Sequence, residues 1–215
     1  MQKVISLKLL PSEAASETLI TEYIARAESV NVSYVTGLKQ SIDARGKQPW
    51  INLSLKAFIN EPFKQRELMT FNFQDVKKAE QTVIIIGAGP AGLFAALQLI
   101  EKGIKPIILE RGKDVRARRR DLAILNKEGE VNPESNYCFG DGKLYTRSSK
   151  RGDINRILNL FVHFGAEEQV LYEAHPHIGT NKLPHIITAM RKQITDCGGD
   201  FLFEKKVVDF VIKED

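Results

Sequence analysis

The run Thr82-Val-Ile-Ile-Ile-Gly-Ala-Gly-Pro-Ala-Gly92 constrains this chain more than any other stretch. Val83 to Ile86 are β-branched and favour a strand. Gly87, Gly89 and Gly92 follow at the spacing G-x-G-x-x-G. Leu93, Phe94, Leu97 and Ile100 then keep a helical period, and Pro106 to Leu109 form a second apolar run ending at Glu110. Strand, glycine turn, helix and strand together predict a βαβ unit. Each residue type has a physical task. Gly87 permits the tight turn, Gly89 lets a pyrophosphate approach the backbone, and Gly92 lets helix and sheet pack closely. Ala88, Pro90 and Ala91 complete the turn, and the helix start offers unpaired N–H groups and positive dipole to phosphates. Glu110, about 20 residues on, is placed to accept the hydroxyls of an adenosine ribose. The alternative is an ordinary strand–turn–helix connection with a solvated Glu110. Strand, helix and carboxylate in the right order favour a site for an ADP moiety.

NAD and FAD share such a unit, so the glycines alone do not choose between them. The segment after Glu110 carries Arg111, Lys113, Arg116, Arg118, Arg119 and Arg120 against Asp114, in a chain whose net charge is only +4. This basic run admits three readings: neutralisation of a bound pyrophosphate, a solvated helix face, or a polyanion patch. It has no interleaved aromatic residues to stack on bases, which weighs against nucleic acid. Beyond residue 150 the pattern is helix, loop, helix and alternating strand rather than repeated βαβ units.

Several longer motifs bear on the choice. They are Asn132-Pro-Glu-Ser-Asn-Tyr-Cys-Phe139, Asp141-Gly-Lys-Leu-Tyr-Thr-Arg147, Lys150-Arg-Gly-Asp153, His175-Pro-His-Ile-Gly-Thr-Asn-Lys-Leu-Pro184 and Ser41-Ile-Asp-Ala-Arg45. With them the chain resembles a bacterial family of uncharacterised FAD-dependent dehydrogenases, whose FAD domain is of the glutathione-reductase type. The resemblance implies FAD as cofactor, an oxidoreductase as parent and NAD(P)H as a candidate electron donor, but no particular substrate. It carries pyrophosphate neutralisation to Arg111 and Arg119. It also places a strand backbone near Val207 against the adenine edge. Family members have a longer glycine-rich loop where Gly140 alone separates Phe139 from Asp141 here, and they continue well past residue 215. The chain is therefore expected to be an N-terminal portion of a larger flavoprotein, with an open sheet edge and marginal stability on its own.

Hydrophobic residues make up 43% of the chain and charged residues 27%, which suits packed domains. No apolar run approaches the length of a membrane span, and the first residues do not read as a signal peptide. Cys138 and Cys197 are far apart and lack C-x-x-C spacing, which points to a reducing cytoplasmic setting and away from dithiol chemistry or a metal cluster.

The expected fold class is α/β: an incomplete Rossmann-like FAD-binding domain over 82–215, preceded by a small α+β module over 1–72 and a polar linker over 73–81. In the module, Lys3–Leu10 alternates like a strand, and Pro11-Ser-Glu opens a helix with Leu19, Ile20, Tyr23, Ile24 and Ala27 on one face. Val32–Gln40 and Trp50–Ile59 alternate again, giving the order β-α-β-β. This module is expected to cap the flavin domain, with binding of a partner, a nucleic acid or a substrate as alternatives. Three residues are candidates for chemistry. Lys143, after the turn Gly140-Asp-Gly, is placed either to stabilise a reduced flavin or as a surface lysine. His175 and His177 frame a proline and are either acid–base groups beside the flavin or structural donors. No further ligands complete a metal site with them. Asp153 reads as the N-cap of a helix burying Ile154, Ile157, Leu158 and Phe161, and Gly165 as its end. A second helix starts near Pro184, buries Ile186, Ile187, Met190 and Ile194, and ends at Gly198-Gly199. Phe201–Ile212 alternates as strands. Two rivals to the flavoprotein reading stand: an NAD-binding dehydrogenase domain, and an eroded flavin fold that binds RNA or a protein.

Overall fold

The computed structural model describes residues 1–114, 117, 120, 142–144, 152–179 and 181–211. The chain divides into two compact units. The first comprises Met1–Met69, Lys143–Val162 and Glu167–Ile178, and the second Thr70–Gly142, His163–Ala166 and Gly179–Asp215.

The first unit is built on an antiparallel sheet of β1 (Gln2–Leu9), β2 (Val32–Asp43) and β3 (Trp50–Ile59), in the order β1-β3-β2. The alternation of β3 decides its placement. Ile51, Leu53, Leu55 and Ala57 are buried on one face, and the register sets Leu55 opposite Ile5 and Ile51 opposite Leu9. Ile20 and Ile24, one helical turn apart, close this core. The helix between β1 and β2 is broken into α1 (Pro11–Ala14) and α2 (Glu17–Glu28). The break sits at Ser16, whose hydroxyl accepts from the Leu19 amide at 3.3 Å and so starts a new helix. The broken helix also corrects the expected apolar face: Leu19 and Tyr23 are exposed, and Ile20 and Ile24 are buried.

A later segment joins this unit by strand-like pairing at the free side of β2. The Gln40 amide donates to Tyr172 O at 2.8 Å, and the Ala174 amide donates to Gln40 O at 2.8 Å. Gly37 faces the Tyr172 ring, and a Cβ there would sit 3.3 Å from it. α4 (Ile154–His163) begins at Asp153, whose carboxylate accepts from the Arg156 amide at 3.1 Å. Of its expected apolar face Phe161 is buried, Ile157 and Leu158 are half-buried and Ile154 is exposed, while Asn159 and Leu160 are buried beside Phe161. The reason is polar: Asn159 accepts from the Met69 amide at 3.1 Å and donates to Asn155 O at 2.9 Å, so its burial is satisfied.

The second unit is an α/β layer. β4 (Thr82–Ile86), β5 (Lys105–Leu109) and β6 (Asp200–Leu202) form a parallel sheet in the order β4-β5-β6. α3 (Pro90–Glu101) connects β4 to β5, and α5 (Leu183–Asp196) precedes β6 and packs beside α3. α3 buries Leu93, Ala96, Leu97 and Ile100, and α5 buries Leu183, Ile186, Ile187, Met190 and Ile194. The segment before β4 is not a solvated tether. Val76 is fully buried and its amide donates to Cys197 O at 2.7 Å, while the Gln74 side chain donates to Glu101 O at 2.6 Å. Its polar sequence conceals two apolar anchors, Val76 and Phe73, the latter with its ring 6.0 Å from that of Phe164, and a set of backbone bonds.

Two features leave this sheet open among the described residues. β4 pairs only with β5, and its Ile84 and Ile86 are 62% and 55% exposed. The strand expected over Phe201–Ile212 ends at Leu202; Glu204 takes a left-handed conformation (φ 56°), and the chain makes its last bond beside β5 from the Lys205 amide to Glu110 O at 2.9 Å. Val208, Phe210 and Val211 are consequently exposed. No helix among the described residues is long and apolar enough to cross a membrane.

Candidate dinucleotide site

The carboxyl ends of the three parallel strands lie side by side. The Gly87 amide donates to Leu109 O at 2.8 Å, and the Glu110 amide donates to Leu202 O at 2.9 Å. In open parallel sheets this end is where ligands bind. Gly87 leaves β4 with φ 96°, a conformation that disfavours any side chain, and Gly89 is the N-cap of α3 in an extended conformation. Pro90 opens α3, where its missing N–H costs nothing. Gly92 sits in the first turn of α3, and a Cβ there would collide with Gly87 O. Gly92 is therefore fixed by packing within the protein. Gly89 is different: a Cβ there would meet no atom within 4 Å. The space in front of the α3 N-terminus is open, and the first-turn amides and the helix dipole address it.

Glu110 supplies the other half of the site. It is buried at the end of β5, with its carboxylate held by two backbone donors, the Ala88 amide at 2.7 Å and the Gly112 amide at 2.7 Å. The first bond ties the carboxylate to the glycine turn itself. Two such bonds to a carboxylate are charge-assisted and orient it firmly. Glycine turn, open helix N-terminus and oriented carboxylate are the parts that a diphosphate joined to a ribose needs, and the residues present fit such a group.

The remaining expected site residues fall in different places. Arg111 is exposed just beyond Glu110. Arg119 lies outside the described residues, as do Arg116, Arg118 and residues 121–141. Val207 is in the second unit but not in a strand; just before it, the Glu204 and Lys205 amides donate to Gly112 O at 3.2 Å and Glu110 O at 2.9 Å. Lys143, His175 and His177 group with the first unit. Lys143 and His177 face each other across an isolated antiparallel bridge, and the Leu144 amide donates to Pro176 O at 2.8 Å. Both histidines are exposed, and among the described residues no cluster of His, Cys, Asp and Glu could hold a metal. Arg191 of α5 escaped the sequence reading. Its guanidinium lies 3.5 Å from the Asp114 carboxylate and over the Phe203 ring at 5.3 Å, so a helix distant in sequence brings a cation to the loop after Glu110. A lone arginine on a helix gives no local signal of that.

Comparison with known proteins agrees with this geometry. Residues 80–128 match an FAD binding domain family, the segment that holds both the glycine turn and Glu110. Residues 1–58 match a domain of unknown function (DUF8436). The chain is 31% identical over 209 residues to an uncharacterized protein of Clostridium beijerinckii, covering 86% of this chain and 38% of that protein. A stretch of 36 residues is 58% identical to the thiamine thiazole synthase of Archaeoglobus fulgidus, covering 17% of this chain and 14% of the synthase. The chain thus spans well under half the length of the curated relatives it matches. The site and the matched family together support flavin binding, with FAD as the cofactor.

Proposed function

We propose that this chain is the flavin-binding portion of an FAD-dependent oxidoreductase, with a Rossmann-like second unit that holds the ADP half of FAD. The observation that carries the reading is the Glu110 carboxylate bonded to the Ala88 amide, inside the segment that matches the FAD binding family. In this reading the turn Gly87-Ala-Gly-Pro-Ala-Gly92 and the α3 N-terminus hold the pyrophosphate. Glu110, already aimed by Ala88 and Gly112, accepts from the ribose hydroxyls. Its negative charge also disfavours a nucleotide carrying a 2′-phosphate. Arg111 and Arg119 neutralise the diphosphate. Bound FAD supplies hydride exchange at its flavin ring; the chain's own residues bind and orient the cofactor. Lys143, His175 and His177 are proposed as the groups for chemistry, with a small-molecule substrate and NAD(P)H as the candidate donor in a cytoplasmic enzyme.

Titration with FAD and with NAD, each followed by gel filtration and a visible absorbance spectrum, tests this. Retained flavin absorbance that is lost in Gly89→Trp is the expected result. Protein that stays colourless with FAD yet binds NAD at the same glycines would replace the flavoprotein reading with a nicotinamide one.

A further inference from the structure

The first unit carries a pocket of about 350 Å³ on the sheet face turned away from α2, a size that admits a small organic ligand. Its floor follows from the strand register. Gln2 lies opposite Phe58, and Lys56 lies opposite Thr36, so two polar groups and a cation share one face with an aromatic ring. A register shift between Gly37 and Lys39 adds Leu38 to the wall, the way a bulge re-aims a side chain. The chain beyond β3 then folds back over this face. The Phe63 ring lies against Tyr34 at a centroid separation of 3.9 Å, tilted by 46°, and meets Phe58 edge-on at 5.8 Å, which anchors the segment that brings Lys64, Arg66 and Glu67 to the rim.

The charge of this lining is one-sided. Lys64 pairs with Glu67 at 2.5 Å, leaving Lys56 and Arg66 as the net charge of the lining. Arg66 is held in position by donating to Gly37 O and by lying over the Tyr172 ring at 5.6 Å. A guanidinium has donors to spare after one such bond. Lys56 is half-buried in the central strand, so its ammonium is presented from a rigid element rather than from a loop. Glu67, a carboxylate of the chain itself, is already drawn to this spot; its pKa is lowered first by the hydrogen bond from Lys64 and also by the charge of Lys56.

We propose that this pocket binds a small carboxylate, its carboxylate between Lys56 and Arg66 and its body beside Leu38, over Gln2 and Thr36. The lining residues lie on one sheet face and on the segment folded back over it, and the volume suits a ligand of metabolite size. The proposal stands independently of the flavin reading, because every residue that makes the pocket lies within Met1–Met69.

The test is protein-observed NMR on the full chain titrated with benzoate, with inorganic phosphate and an oligouridine as contrasts. Benzoate should shift the Thr36, Lys56 and Arg66 amides in a saturable way, and Lys56→Gln should weaken it by roughly ten-fold through loss of one charge-assisted contact. Lys8→Gln, on the same sheet face but over Trp50 and outside the pocket, is expected to bind as the parent does. Arg66→Lys gives a second variant, checked by its melting temperature, and should also weaken binding. No saturable shift, equal weakening in Lys8→Gln, or tighter binding of oligouridine than of benzoate would overturn the proposal. FAD retention should be the same in every variant, which separates this outcome from failure of the flavin site.

Discussion

The Ala88 amide donates to the Glu110 carboxylate at 2.7 Å, so the residue after the first glycine of the turn is bonded to the residue that ends the next strand. The βαβ unit is thereby closed at the carboxyl end of its strands by a side chain, not only by the sheet ladder. That carboxylate also accepts from Gly112, and its burial makes both bonds consequential.

Glu110→Ala leaves two amide donors without their acceptor. Each lost partner costs about 1–3 kcal/mol when the donor stays buried. Chemical denaturation of flavin-free protein should show a loss of that order, and FAD affinity should fall in the same variant. An unchanged midpoint would mean that water replaces the carboxylate freely.

Gly92→Ala and Gly89→Ala separate packing from ligand binding. The Gly92 substitution drives a Cβ into Gly87 O and should destabilise the second unit by about 1–3 kcal/mol before any cofactor is added. At Gly89 the Cβ enters open space, so flavin-free stability should stay within about 0.5 kcal/mol. FAD binding should nevertheless weaken in Gly89→Ala, because its methyl group occupies the diphosphate's approach. Thermal melts with and without FAD distinguish the two.

Val76→Ala tests whether the segment before β4 belongs to the fold. Val76 is fully buried, and removing its methyl groups should cost about 1–3 kcal/mol. A true tether would tolerate the change without loss of stability. Limited proteolysis should likewise spare residues 74–81 in the parent and cut there sooner in the variant.

Glu13 gives the first unit a pH-dependent contribution. It accepts from the Leu10 amide at 2.8 Å and from the Tyr23 hydroxyl at 2.8 Å, and these bonds, the amide first, hold its pKa below the ordinary value. A depressed carboxyl stabilises the fold above its unfolded pKa and loses that contribution as pH falls through the folded one. Glu13→Gln should therefore melt lower than the parent at neutral pH, with the two curves converging below about pH 4. Parallel curves across that range would remove Glu13 from the account.

Local periodicity carried much of the fold. β3 was legible because alternation of Ile51, Leu53, Leu55 and Ala57 with polar residues has one stable solution on a half-covered sheet. α5 was legible because its apolar residues recur at helical spacing from Leu183 to Ile194 and Gly198 stops it. Where a local choice competed with the pattern, the sequence misled. Ser16 restarts a helix inside an otherwise continuous apolar period, and Asn159 is buried although it lies outside the apolar face expected through Ile154, Ile157, Leu158 and Phe161.

By itself the sequence determined the order strand, glycine turn, helix, strand and carboxylate, since each step depends on residues within a few positions of one another. Tertiary structure alone decided that residues 172–174 pair with β2, that Val76 is buried, that Arg191 reaches Asp114, and that Lys56 and Arg66 face one cavity. Those relations join residues far apart in the chain, and which distant surfaces meet is settled by burial and by hydrogen-bond satisfaction over the whole unit. No window of sequence contains that information.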